Sequence, residues 1–262
     1  MTTSLSRGTV VLDLDGVVYL DAEGIPGAGP ALESLATAGW ELLYATNNSS
    51  KTSDMVAMHI KDRTGFPASA AAAVTSGMAA GQYISERHSS ALVVGTAALE
   101  ETIASYGISV VDTTDPDVVV VGLDRDISYD TIDRASRAIR GGAEFVATNV
   151  DSTYPTPTGL APGAGSIVAA IAAAAGTDPV SCGKPSQMMI SLLAERISGD
   201  TVWVVGDRPE TDLALAIQGG WRSILVLTGV AADARDVPPE LTPNHVAQSI
   251  ADVPALLAKH GG

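Results

Sequence analysis

Two aspartates separated by one residue, Asp13 and Asp15, close the apolar, β-branched run Thr9-Val10-Val11-Leu12. Such a run suits a buried parallel strand, where carboxylates at the C-terminal end need a reason. A spacing of two turns both side chains to roughly one side of the chain. Carboxylates that close repel each other until a cation or a proton sits between them. Gly16 follows and lets the backbone turn and approach a ligand. The pattern suits a nucleophilic carboxylate working beside a metal ion. The plain alternative is a strand that ends in a polar loop.

Three later stretches carry groups suited to the same chemistry. Residues 41–45 read as a strand and run into Thr46-Asn47-Asn48-Ser49-Ser50, with a helix expected over 53–63. Hydroxyls and amides ahead of a helix N-terminus are donors for an oxyanion, although such a cluster also serves as a turn and a helix cap. Cys182-Gly183-Lys184-Pro185 precedes a helix expected over 186–197. Lysine offers phosphate a compact positive charge. A strand over 201–205 ends in Gly206-Asp207-Arg208-Pro209-Glu210-Thr211-Asp212. The C-terminal ends of parallel strands share one edge of the sheet, and ligands bind beyond it.

Phosphoryl transfer through an aspartyl phosphate fits this set. A carboxylate is ionised at pH 7 and attacks phosphorus without losing a proton first. Mg²⁺ takes hard oxygen ligands and relieves the repulsion between carboxylates and phosphate. A second carboxylate can protonate the leaving oxygen and then deprotonate water. Cys182 beside the lysine motif reads as a small buried residue, not a nucleophile.

The elements that must hold these groups alternate along the chain. Strands are expected over 91–94, 118–121, 144–147 and 224–227, with a short one at 245–247. Helices are expected over 97–106, 129–140 and 166–175, with a terminal helix near 255. Residues 149–165, rich in Pro and Gly, read as a long loop. Alternation of this kind implies parallel sheets with crossovers. Gly27-Ala28-Gly29 lacks the third glycine of a dinucleotide fingerprint, since Leu32 stands there.

The 262 residues suffice for one large α/β domain or two smaller ones. With 46% hydrophobic and only 4% aromatic residues, the core must be built of Ala, Val, Leu and Ile. A net charge of −15 argues against nucleic acid and anionic membranes, and obliges any phosphate site to supply positive charge locally. One cysteine excludes an intrachain disulfide, and the four histidines show no zinc-ligand spacing. The first ten residues hold no apolar core of signal-peptide length, and no apolar run approaches the ~20 residues that span a bilayer. These features predict a cytoplasmic protein.

DLDGVVY, TNNSS, GKP and GDRPETD, in this order and at wide spacing, resemble the haloacid-dehalogenase superfamily of phosphatases. The segment 121–167 resembles the large α/β cap of the p-nitrophenylphosphatase-like branch. The resemblance implies a Rossmann-like parallel-sheet core over 1–80 and 180–262, with an inserted α/β cap over 81–179 that governs substrate specificity. It implies Asp13 as nucleophile and Mg²⁺ ligand, and Asp15 as general acid and base with its carbonyl on the metal. Thr46, Asn47 and Asn48 would hold the phosphoryl group. Lys184 would neutralise the nucleophile and the transferring group, and Asp207 would be the third metal ligand. Asp212 is placed behind these ligands or as a helix cap. Asn149, Asp151 and Tyr154 fall on the substrate-facing cap loop, with Tyr154 where some pyridoxal-phosphate-cleaving relatives carry histidine. The partner implied is a small phosphorylated metabolite such as glycerol phosphate, phosphoglycolate or p-nitrophenyl phosphate, with a homodimer through the cap left open. Two alternatives stand beside hydrolysis: a phosphomutase or phosphotransferase on this fold, and a non-catalytic phosphometabolite-binding protein.

Overall fold

A computed structural model of the chain describes residues 7–20, 22–113, 115–156 and 158–260. The N-terminal stretch considered above for a signal peptide lies largely outside them.

The chain opens with strand β1 (Gly8–Leu12), a small ribbon of β2 (Tyr19–Leu20) and β3 (Glu23–Gly24), and helix α1 (Ala28–Thr37). It continues through β4 (Trp40–Thr46), α2 (Ser53–Thr64), β5 (Ala73–Thr75) and α3 (Ser76–Ser85). Next come β6 (Ser90–Val94), α4 (Ala97–Ser105), β7 (Ser109–Val110), β8 (Val118–Val121), α5 (Tyr129–Arg140) and β9 (Glu144–Ala147). β10 (Thr153–Thr156), β11 (Gly159–Pro162), α6 (Ala164–Ala175) and β12 (Val180–Ser181) lead to α7 (Gln187–Ala194). The chain closes through β13 (Val202–Gly206), α8 (Ala214–Gly219), β14 (Arg222–Val226), β15 (His245–Ala247) and α9 (Val253–His260).

The strands form two main sheets. One has the order β15-β14-β13-β1-β4-β5 and is parallel throughout. The other, β12-β9-β8-β6-β7, is also parallel and draws all its strands from the middle of the chain. Val118–Val121 therefore pairs within a different sheet from β1. Every residue of β1, β8 and β13 is buried, as strands covered on both faces require.

Aliphatic side chains dominate three layers, and the first also buries Trp40, Tyr44 and Trp203. Val10, Leu12, Trp203, Val205 and Ile224 pack under α1 and α9. On the far side of the second sheet, Val119 and Val121 meet Ile139 of α5 and Val168 of α6. Between the sheets, Val11, Leu43 and Val74 share one apolar cluster with Val93, Val120 and Val146. Ala79, Ala80 and Ile84 of α3 bridge that cluster.

One expectation needs correction. Residues 149–165 are not a plain loop: β10 and β11 pair as an antiparallel hairpin, Tyr154 opposite Ala161. Neither strand has a buried residue, so no apolar alternation announces the hairpin, and Pro155 and Pro162 read as breakers. β5 and β12, three and two residues long, are too short to stand out in the sequence.

Candidate active site

The first sheet brings the chemical groups together. β1 lies between β13 and β4, so consecutive crossovers leave it in opposite directions, and a crevice opens at such a switch point. Leu12 pairs with Val205 on one side and Tyr44 on the other. Asp13, Asp207 and Thr46 therefore emerge side by side. Thr52 caps α2 by accepting the Met55 N–H at 3.3 Å, and Ser186 caps α7 by accepting that of Met189 at 3.3 Å. These caps fix where the second and third motifs stop being loop.

Lys184 is the hub. Its Nζ donates to Asp13 Oδ1 and to Asp212 Oδ1, each at 2.6 Å, and all three side chains are almost fully buried. Carboxylate oxygens of Asp13, Asp207 and Asp212 lie within 4.8 Å of one another. Burial, then Asp212 and Asp207, pushes the Asp13 carboxyl well above the usual carboxylate range, against the pull of Lys184. Burial and Asp212 raise Asp207 to about 6, opposed by the Val230 N–H and by Lys184. Burial disfavours the Lys184 ammonium, but the charges of Asp13 and Asp212 outweigh it and raise its pKa.

Three buried carboxylates facing one ammonium leave an excess of negative charge in a poorly solvated place. A divalent cation with hard oxygen ligands fits that donor set. The backbone leaves it room. A Cβ on Gly229 would stand 1.9 Å from Asp207 Oδ2, and one on Gly16, at φ +92°, would stand 2.6 Å from it.

Asp15 lines the same cavity, half-buried, and is not part of the three-carboxylate cluster. Thr46 is buried at the cavity wall, its Oγ1 accepting the Asn48 N–H at 3.0 Å. Asn48 Oδ1 in turn accepts from Ser50 N at 2.9 Å and so shapes the turn. The side chain of Asn47 is fully committed: Oδ1 accepts the Lys184 N–H at 2.6 Å, and Nδ2 donates to Asp151 Oδ2 at 3.0 Å and to the Lys184 carbonyl at 3.3 Å. Asp212 does more than cap: besides Lys184, it accepts the Arg208 N–H at 3.1 Å. Cys182 is fully buried, its thiol pushed up to about 12 by burial and then Glu144, as an inert core residue should be.

The cavity measures about 640 Å³, and the middle of the chain supplies its outer wall. Asn149 Nδ2 donates to the Asn47 carbonyl at 2.7 Å. Tyr154 Oη accepts from Arg125, whose guanidinium lies 5.4 Å from the ring centroid. Arg125, Arg208 and Gly229 were not singled out from sequence. Arg208 sat inside a motif already in view, and Gly229 follows a strand end. Arg125, between Asp124 and Asp126, had no local signal.

A family model described as haloacid dehalogenase-like hydrolase matches residues 10–109, and a second HAD-like model matches 181–253. The D-glycerol 3-phosphate phosphatase of Mycobacterium tuberculosis is 37% identical over 248 residues, which is 92% of this chain and 69% of that protein. A crystal structure of glycerol phosphate phosphatase from M. tuberculosis in complex with magnesium superposes with a TM-score of 0.84 at 36% identity, covering 92% of this chain and 74% of that one. A 4-nitrophenylphosphatase from Thermotoga maritima gives 0.85 at 31% identity, covering 94% and 96%. The chain belongs to the haloacid dehalogenase-like hydrolases. Within that family it is a phosphatase of the p-nitrophenylphosphatase-like branch. No helix among the described residues is long and apolar enough to cross a membrane.

Proposed function

We propose that this enzyme, in the cytoplasm, releases phosphate from small phosphomonoesters of uncharged alcohols, glycerol phosphate among them, through an aspartyl phosphate on Asp13. The observation that carries this reading is the double contact of Lys184, at 2.6 Å, with the Asp13 carboxylate and with Asp212. It fixes the attacking oxygen beside a cation that also attracts the phosphoryl group. Asp13 and Asp207, with the Asp15 carbonyl by family resemblance, would hold Mg²⁺. When bound, Mg²⁺ supplies the positive charge that offsets the carboxylates and the phosphoryl oxygens.

A carboxylate oxygen of Asp13 forms the new bond to phosphorus while the ester P–O bond breaks. Asp15 gives its proton to the departing alkoxide. Asp15 then takes a proton from water as that water attacks phosphorus, which frees phosphate and restores Asp13. Lys184 stays protonated throughout.

The mouth of the cavity supports the choice of leaving group. Asp15, Asp124 and Asp126 face it together with Lys51, Arg125 and His59. Three carboxylates stand there against two cations, so a second anionic group on the substrate finds no surplus of positive charge. Hydroxyl groups suit such a mixed lining. Residues 81–179 act as the cap that carries this outer wall. The test is phosphate release from glycerol phosphate and p-nitrophenyl phosphate with Mg²⁺ and with excess EDTA. Magnesium-dependent release supports the reading. No release, or full activity in EDTA, overturns it.

A further inference from the structure

Arg208 joins the fourth motif to the segment that follows β9. Its Nη2 donates to the Thr153 carbonyl at 2.8 Å, and its Nη1 lies 3.7 Å from Asp151 Oδ1. The other oxygen of Asp151 accepts from Asn47 Nδ2 at 3.0 Å, and the Asp151 N–H donates to Asn149 Oδ1 at 3.1 Å. Behind them, the Arg208 N–H donates to Asp212 Oδ2 at 3.1 Å, and Asp212 Oδ1 accepts from Lys184 at 2.6 Å. Asn47 holds the Lys184 backbone N–H at 2.6 Å. These contacts close a ring through the second, third and fourth motifs and the 149–156 segment.

The Arg208 and Asp151 side chains are only 15% and 22% exposed, so their attraction is less screened than that of a surface pair. A guanidinium can hold a carboxylate and a carbonyl at once in fixed directions, which an ammonium does less well. One oxygen of Asp151 accepts from Asn47 and the other faces the Arg208 guanidinium as an ion pair.

We propose that Arg208 and Asp151 are a positioning pair that holds the 149–156 segment, and with it Tyr154 and its partner Arg125, at a set distance from Asp13. The pair thereby governs affinity for the leaving group. A polyol is held by hydrogen bonds that weaken steeply with misalignment. A nitrophenyl ring is held mainly by apolar contact, which is non-directional. Loosening the segment therefore costs polyol esters more than aromatic ones. The inference rests on the phosphatase reading of the site.

The experiment compares wild type, Arg208→Gln, Asp151→Asn and the double variant, on glycerol phosphate and p-nitrophenyl phosphate at saturating Mg²⁺. Each single variant should raise KM for glycerol phosphate by about 10-fold or more, within the range that small misplacements cost, with kcat for p-nitrophenyl phosphate nearly unchanged. The double variant should lose less than the two single losses combined, because both residues hold the same segment and share one contact. Amide hydrogen exchange over 149–163 should quicken in both single variants while that of 8–12 does not. Additive losses, equal kcat losses on both esters with KM unmoved, or unchanged exchange over 149–163 would each overturn the proposal. Should Asp151→Asn fail to fold, Arg208→Lys decides: a raised KM for glycerol phosphate supports the pair, and a wild-type KM overturns it. A wild-type enzyme inactive on both esters counts against the phosphatase reading, and the exchange measurement still decides the pair.

Discussion

Asn47 and Lys184, 137 positions apart, are tied through both ends of one amide: Oδ1 accepts the Lys184 N–H at 2.6 Å, and Nδ2 donates to its carbonyl at 3.3 Å. The Asn47 carbonyl is itself held by Ser76 Oγ at 2.6 Å and Asn149 Nδ2 at 2.7 Å. Asn47→Ala leaves the Lys184 backbone N–H unsatisfied in a buried place, at a cost of about 1–3 kcal/mol. It also frees the loop that aims the ammonium, and kcat/KM should fall by roughly 10²-fold. Urea unfolding and steady-state kinetics read the two effects. Wild-type values for both would show that the tie has no consequence.

Asp212→Ala removes one of the two carboxylates that hold a buried ammonium. Lys184 and Asp212 side chains are 3% and 1% exposed, so water cannot replace the lost partner. Leaving a buried charge wholly unpaired typically costs about 3–5 kcal/mol, and because Lys184 keeps Asp13 the loss should fall below that range. The expected result is a lower urea midpoint with an unchanged slope. A midpoint within error of wild type would mean that Asp13 alone suffices.

Asp13 and Asp15 should fail differently. Asp13→Asn removes the attacking charge, so no covalent species forms. Asp15→Asn keeps the nucleophile and loses the proton carrier, an effect typically worth ~10²–10⁴-fold. An alkyl ester needs that proton on its leaving oxygen, whereas p-nitrophenolate leaves without it. Intact mass after rapid quench should show a phosphorylated Asp15→Asn chain with p-nitrophenyl phosphate, and none in Asp13→Asn. An adduct in Asp13→Asn would remove it as the nucleophile.

Gly229→Ala places a methyl group where Asp207 Oδ2 now lies, 1.9 Å from the Cβ position. The carboxylate must shift, and support of this kind typically sets metal affinity within ~10–100-fold. The Mg²⁺ concentration for half-maximal activity should rise by about that range while Mg²⁺-saturated activity falls less. An unchanged Mg²⁺ requirement would separate Asp207 from the metal.

Stability at acid pH should depend on Asp117, far from the cavity. Its Oδ2 accepts from Ser89 N and Oγ at 2.8 Å each and from Ser90 N at 2.9 Å. These bonds, Ser89's backbone N–H first, hold the carboxyl well below its usual range. A depressed carboxylate pKa stabilises the fold above the unfolded-state value of about 3.9 and loses that contribution as pH falls below it. Wild type should therefore unfold at higher urea than Asp117→Asn at pH 7, with the gap closing below about pH 4. A gap that stays constant with pH would assign the effect to shape instead of charge.

Asp13, Asp15, Thr46, Lys184 and Asp207 were legible from sequence because each stands where a local pattern breaks. An apolar strand run stops at a carboxylate or hydroxyl, or a glycine-lysine pair precedes a helix. Strand alternation also foretold that these ends would share an edge. What the amides and second carboxylates do was decided only by tertiary contacts. The side chain of Asn47 bonds Lys184 and Asp151, and Asp212, placed behind the metal ligands or as a helix cap, is a direct partner of the lysine. Arg208 reaches 55 positions back to Thr153, and the 153–162 hairpin has no buried face to betray it. Local periodicity records which face of an element is buried, because burial repeats with the strand or helix period. A hydrogen bond between distant loops has no period, so it exists only once the sheets have set the loops side by side.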